Sequence, residues 1–443
     1  MMKNNIAVFS KIFFLITIMN FSSITKADVK ILSYETRNGV KVLFSKSENI
    51  PMIDIKITFD AGSSKDGSLK GLSMLTHNLL DEGTSKKKSE EIASIFESTG
   101  SVFNTSVNKD RSTISLRSLT DEKYFNPCLK MFLEILSDSS FPISEVNLQK
   151  NRTISTIIED KSDPSEIASS IFFKEIYGDH PYASQSIGNE NSVTKINRKN
   201  ILDFYQKHIS SSNASIAIVS SLPKDQVIKI SEKISKSLER KEVENISNTK
   251  EMKILKEKYI FKNFKSEQAH IYIGSTSIER GSDNHIPLYV GNYIFGGSGF
   301  SARLMKELRV KRGLTYGVYS YVYPLKEKGP FLIGIETKAE QAQLSVKLIR
   351  EMLAEFVEKG PTDEELKHAK NSIINGFPLR IDSNSDILNY LSMINYYNLP
   401  KDYLKTFTSK ISKVTKKDII NAFKTEIDLD SIITLVVGNE KAK

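Results

Sequence analysis

A chain of 443 residues with 39% hydrophobic residues is long enough for two compact domains and too apolar for a disordered segment. Its 62 basic and 53 acidic residues leave a mild positive excess spread through mixed-sign runs, with no basic stripe interleaved with aromatics, which argues against a nucleic-acid surface. Cys128 is the single cysteine, so an internal disulfide is ruled out, and it reads as a small core residue.

The first residues predict a secretory signal peptide over 1–27: a leader with Lys3 and Lys11, the apolar run 12–19, then Thr25 and Ala27, with cleavage after Ala27 and release into the periplasm. The run is shorter than the about 20 residues a membrane span needs. No later segment is a candidate, so no stable membrane insertion is expected. Loss of Lys3, Lys11 and Lys26 leaves 59 basic and 53 acidic residues, a net charge of +6.

From Ile31 the pattern alternates. Asn38-Gly39 marks a hairpin before a strand at 40–44, and a longer strand follows at 52–60. In the stretch from Gly71 to Thr84, Leu72, Leu75, Leu79 and Leu80 recur at helical spacing, and Gly83 is placed to end that helix. A helix at 89–99, strands at 102–107 and 113–117 around the turn at Asn108, and amphipathic helices at 124–136 and 144–160 come next, the last with Glu145 in its first turn. Asp163-Pro164 closes it. A helix near 166–177, the loop Gly178-Asp-His-Pro-Tyr182, a helix at 197–208, a strand at 214–219 and a helix at 224–238 complete residues 28–238 as an N-terminal domain. The charged stretch 239–256 reads as a linker and 257–443 as a C-terminal domain.

The second half repeats the plan. Residues 193–202 align without gaps on 411–420, a shift of 218 positions, and at that shift Ser144 meets Thr362, Leu148 meets Leu366 and Ile218 meets Val436. The fold class predicted is α+β: two homologous domains, each an antiparallel sheet with helices packed on one side. In the C-terminal half a strand at 269–273 and a helix at 288–295 lead into Gly296-Gly-Ser-Gly-Phe300. No Gly-Lys-Ser/Thr follows it, so a tight connection is the better account than a phosphate loop. A basic helix at 301–311, a tyrosine-rich strand at 315–323, its neighbour at 331–337 and a helix opened by the Thr362/Glu365 capping box follow.

The Asn-Gly hairpin, Ala61-Gly62-Ser63, the Gly71–Thr84 helix, the Gly178–Tyr182 loop, the block from Arg303 to Tyr316 and the closing strand together resemble the insulinase/pitrilysin-type metallopeptidases over nearly the whole mature chain. The resemblance implies a half-clamshell arrangement of the two domains. Active members carry His-x-x-Glu-His on the opening helix, two histidines holding zinc and the Glu acting as base. Anchored on the glycines, Met74 and Asn78 take the histidine positions and His77 that of the base. The third ligand, a Glu on the helix at 144–160, has no counterpart between Val146 and Ile158. His77 with Asp81 at i+4 makes a poor metal site without a third ligand, and the plainer reading is a partly buried polar residue. Glu145, Glu159 and Glu166 read as solvated helix charges. No metal or cofactor is therefore expected in this chain.

The same resemblance implies that Arg309 and Tyr316, seven apart, bind substrate carbonyls and support the transition state in a zinc-bearing partner's site; guanidinium and phenol are suitable donors. It also implies that the strand at 102–107 docks extended peptides. The expectation is a non-catalytic subunit of a periplasmic two-chain zinc peptidase, with peptides as substrates and zinc in the partner. A structural or peptide-binding protein with no part in proteolysis is the alternative.

Overall fold

The computed structural model describes residues 29–48, 50–240 and 256–443. The expected signal peptide and nearly all of the expected linker lie outside the described residues. The first sheet holds β1 (Ile31–Glu35), β2 (Lys41–Lys46), β3 (Met52–Phe59), β4 (Val102–Val107), β5 (Ser112–Leu119) and β6 (Ala214–Ser220), in the order β1-β2-β6-β3-β5-β4. The second holds β7 (Lys258–Asn263), β8 (Gln268–Thr276), β9 (Thr315–Val322), β10 (Pro330–Lys338) and β11 (Ile433–Gly438), in the order β7-β11-β8-β10-β9. With β1 set aside the two orders are the same. β2, β6, β3, β5 and β4 answer in turn to β7, β11, β8, β10 and β9, so the repeat seen as a 218-residue shift is also a repeat of topology.

Two features differ from the predicted layout. Each sheet contains one parallel pair, β2 with β6 and β7 with β11, because the last strand of each half returns to the sheet from a helical crossover. The helices also do not keep to one side. Ile53, Ile55, Ile57 and Phe59 bury one face of β3 against the helices of their own half, as period-2 alternation requires. The other face of each sheet takes a helix from the opposite half.

Helix Pro164–Tyr177 sets Ala168, Phe172 and Ile176 against Ile433, Leu435 and Val437 of β11. Helix Asn384–Tyr396, one repeat later, lies on β2, β3 and β6, where Leu43, Ala217 and Val219 join the second core. Polar pins fix that second contact: Asn395 Nδ2 donates to Lys41 O at 3.1 Å and to Ile216 O at 3.0 Å, and Thr58 Oγ1 lies 2.7 Å from Ser392 Oγ.

The halves also meet at the turn between β4 and β5. Asp110 is 2% exposed. Its carboxylate accepts from Tyr182 OH, from Tyr397 OH at 2.7 Å and from Lys326 N–H at 2.8 Å. Its carbonyl accepts from Tyr396 OH at 3.0 Å, and that hydroxyl also reaches Asp60 at 2.8 Å. The Arg111 guanidinium lies 5.6 Å from both the Tyr396 and Tyr397 rings, within cation–π range. A buried carboxylate is tolerated because its lone pairs are filled by donors. Here most of those donors come from the other half of the chain.

Candidate functional site

The opening helix spans Leu72–Asn78, shorter than the leucine spacing predicts. Leu79 and Leu80 are fully buried in the turn that follows, so the core draws them in without helical backbone. Burying such a side chain contributes about 1.5–3 kcal/mol. Asp66 anchors the helix start, accepting from Gly71 N–H and Ser73 N–H at 2.8 Å each. Burial pushes the Asp66 carboxyl up, against the pull of those bonds, to about 6.

His77 is fully buried, not partly buried as predicted. Its Nδ1 lies 2.8 Å from Ser73 O, and Nε2 is buried without a hydrogen-bond partner. Burial lowers its pKa to about 4, with the Ser73 carbonyl opposing, so the ring is neutral at physiological pH. Met74 is half-buried and Asn78 exposed. Asp81 lies beyond the helix end, so the i+4 helical face proposed for it with His77 does not form.

Helix Ile143–Asp160, on which the third ligand would sit, buries Val146, Thr153 and Ile157. Glu145 is half-buried there, Glu159 is exposed, and so is Glu166 on the next helix. Among the described residues no three His, Cys, Asp or Glu side chains converge on a metal position. A thioether, an exposed amide and an imidazole with one nitrogen committed to a carbonyl do not fit zinc, which takes histidine, cysteine or carboxylate ligands in a tetrahedral set.

The Arg303–Tyr316 block is arranged differently. Arg303 is committed to structure: it pairs with both Glu365 oxygens at 2.7 and 2.6 Å and lies 4.9 Å from the Phe356 ring. Burial raises the Glu365 carboxyl, but Arg303 and the Thr362 cap outweigh it and hold the pKa at about 2. Arg312 and Lys311 share Glu307 at 2.7 and 3.2 Å. Arg309, in the π-helical turn Met305–Lys311, is the one arginine of the block with no carboxylate partner among the described residues. Its guanidinium lies over the Phe300 ring, 4.5 Å from the ring centre.

Tyr316 owes its position to a β-bulge. Thr315 pairs with Thr337 and Val318 with Ile335, so Tyr316 and Gly317 share the place opposite Glu336. Regular alternation would turn Tyr316 inward with Val318 and Ser320, which are buried; the extra residue turns it out, and it is 87% exposed. The Thr315 hydroxyl holds the bulge, lying 2.8 Å from Gly317 O and 2.5 Å from Glu336 O and accepting from Gly317 N–H at 3.0 Å. Arg309 and Tyr316 thus flank Gly313, whose φ of +65° turns the chain between helix and strand.

Both β4 and β9 are edge strands, but their edges differ. Tyr323 N–H bonds to Pro330 O, so by antiparallel alternation Val318 and Ser320 turn their backbone groups outward. Both are capped: Asn292 Nδ2 donates to Ser320 O at 3.1 Å, and Val318 N–H lies 3.5 Å from Met305 Sδ. On β4 the Asn108–Arg111 bond sets the same alternation, leaving Phe103, Thr105 and Val107 outward. No amide or thioether cap of that kind stands against them among the described residues. One open and one blunted edge follow.

Sequence reasoning missed Phe300 and Asp110. Phe300 is 65% exposed at the tip of a glycine-rich loop; an aromatic among glycines was the available signal. Asp110 could have been noticed as the lone carboxylate of its hairpin turn.

Comparisons with known proteins match the chain to one family. Residues 41–190 match the profile "Insulinase (Peptidase family M16)" and residues 195–373 match "Peptidase M16 inactive domain". A Helicobacter pylori protein named "Non-peptidase homolog YmxG" is 26% identical over 407 residues, covering 91% of this chain and 92% of its own. A Bacillus subtilis protein, "Uncharacterized zinc protease YmxG", is 26% identical over 354 residues, covering 80% of this chain and 85% of its own. The crystal structure of a peptidase M16 inactive domain from Pseudomonas fluorescens superimposes with a TM-score of 0.89 at 32% identity, covering 93% of this chain and 98% of that one. On these matches the chain belongs to the M16 insulinase-type peptidase family, among the inactive homologues.

Proposed function

We propose that this chain is the non-catalytic subunit of a periplasmic two-chain zinc peptidase. It pairs with a zinc-bearing homologue and lends Arg309 and Tyr316 to the substrate held in that partner's site. The observation that carries this reading is the bulge: a Thr315 hydroxyl and a break in sheet register turn Tyr316 into solvent, seven residues after an arginine that has no carboxylate partner among the described residues. A side chain kept for packing would gain nothing from this.

Peptide carbonyls accept from guanidinium and phenol groups, and those bonds strengthen as negative charge develops on the oxygen. The partner's zinc supplies the activated water. The uncapped edge of β4 supports a second contact, an extended peptide added as a strand. Substrates are then unfolded or extended peptides.

The test is reconstitution. The purified chain and an M16 homologue with an intact His-x-x-Glu-His are assayed separately and mixed, for assembly by sedimentation and for cleavage of a dye-labelled unfolded casein fragment. Cleavage that requires both chains supports the proposal; a homologue equally active alone, with no complex formed, sinks it. The β4 edge also favours a second reading, a peptide-binding protein with no part in proteolysis, which predicts casein-fragment binding without any complex.

A further inference from the structure

We propose that Phe300 is a positioning residue for Arg309, and that the Gly296–Phe300 loop exists to hold this ring beneath the guanidinium; the inference rests on the reading of Arg309 as a peptide contact. Phe300 stands 65% exposed, an expensive place for a large apolar ring. The chain presents it deliberately. Gly299 takes a φ of +62° with open space around its Cα, a backbone state that favours glycine. Ser301 Oγ closes the turn on Ser298, 3.2 Å from its carbonyl and 2.8 Å from its hydroxyl. The outcome is a ring centroid 4.5 Å from Arg309 Cζ.

The choice of an aromatic partner has a chemical consequence. A carboxylate would fix the guanidinium by occupying its N–H donors, as Glu365 does for Arg303. An aromatic face holds the cation through its quadrupole and leaves the in-plane donors free. Arg309, half-buried, is thereby held on the ring with no donor committed to a carboxylate among the described residues, which leaves those donors available for peptide carbonyls. Arg303 and Arg309, two of the three arginines of this block, are thus fixed by opposite means, one for structure and one for contact.

Binding of a dye-labelled unfolded casein fragment to the full chain, read by anisotropy, tests this. Exposed cation–π contacts correspond to a loss of about two- to five-fold, so Phe300→Ala and Phe300→Leu should bind that much more weakly while Phe300→Tyr binds as the parent does. Arg309→Ala should lose more, and Phe300→Leu should add nothing in the Arg309→Ala background. Phe300→Leu binding like the parent, or a full additive loss in the double variant, overturns the positioning role while Arg309→Ala still reports its own contact. Equal binding by the parent and Arg309→Ala overturns the peptide-contact reading itself, and this inference with it. A second readout needs no ligand: the Arg309 Nε–Hε NMR signal, identified by its loss in Arg309→Ala, should show a ring-current shift in the parent and in Phe300→Tyr that disappears in Phe300→Leu. A signal that does not move in Phe300→Leu refutes the proposal.

Discussion

Replacing Asp110 by Ala removes one buried carboxylate and leaves three donors without that acceptor: the buried hydroxyl of Tyr182, the half-buried hydroxyl of Tyr397 and the backbone N–H of Lys326. Hydrogen bonds to a charged group contribute about 1.5–3 kcal/mol each when measured by deletion. They are not additive, and breaking a buried charged cluster by removing one partner typically costs about 3–5 kcal/mol. Asp110→Ala should therefore destabilise the chain by about 3–5 kcal/mol. Asp110→Asn, which keeps the shape and one acceptor oxygen, should lose less, about 1–3 kcal/mol.

Urea unfolding is the assay, followed by circular dichroism and by tyrosine emission; the chain has no tryptophan to mask the 17 tyrosines. Tyr182 and Tyr397 sit at the perturbed contact, so tyrosine emission should report loss of the junction at lower urea than the dichroism. A change below about 0.5 kcal/mol for Asp110→Ala, the range of ordinary surface substitutions, would refute the claim that this carboxylate joins the halves.

Further predictions follow from the same contacts. Thr315→Val deletes the hydroxyl that ties Tyr316 and Gly317 to Glu336; it should destabilise by about 1–2 kcal/mol and lower casein-fragment binding as far as Tyr316→Ala does, and unchanged binding would show that the bulge does not set the Tyr316 position. His77, His208 and His285 are each held at a pKa of about 4, chiefly by burial. The unfolded chain binds protons near the ordinary value of 6.5, so stability should fall as pH drops from 6.5 towards 4. His77→Leu should remove one of these three contributions and flatten that slope, and an identical slope would mean His77 is not buried neutral. Elemental analysis of the purified chain should find zinc well below one per molecule, unchanged by Asn78→Ala; stoichiometric zinc would contradict the loss of the site.

Much of this architecture is legible in the sequence, for physical reasons. Ile53, Ile55, Ile57 and Phe59 alternate because one face of β3 is buried, and the Thr362/Glu365 box announces a helix that begins at Asp363. The assignment of Met74 and Asn78 to the zinc-histidine positions rests on the family resemblance, anchored on Gly71 and Gly83. What could not be read depends on tertiary pairing. Helix Pro164–Tyr177 is apolar around much of its circumference, with Ile167, Ala168, Ile171, Phe172 and Ile176, and nothing local states that it serves the other half's sheet.

The expected helix at 301–311 forms from residue 303 and is π-helical over Met305–Lys311, with Leu304, Met305 and Leu308 set by the core. The motif marks Tyr316 only as a candidate, and its outward direction depends on a two-against-one count with β10 that exists only once the strands pair. His77 passed for a partly exposed polar residue because a single histidine on an apolar face carries no mark of its burial.

The most direct test is cleavage by the reconstituted two-chain complex when this chain, and not its zinc-bearing partner, is altered. Loss of one donor that stabilises a developing oxyanion typically costs about 100- to 1000-fold in kcat. The account predicts that Arg309→Ala and Tyr316→Phe each lower kcat for casein-fragment cleavage by about 100-fold or more, with assembly of the complex intact. Cleavage at the parent rate in both complexes would contradict it.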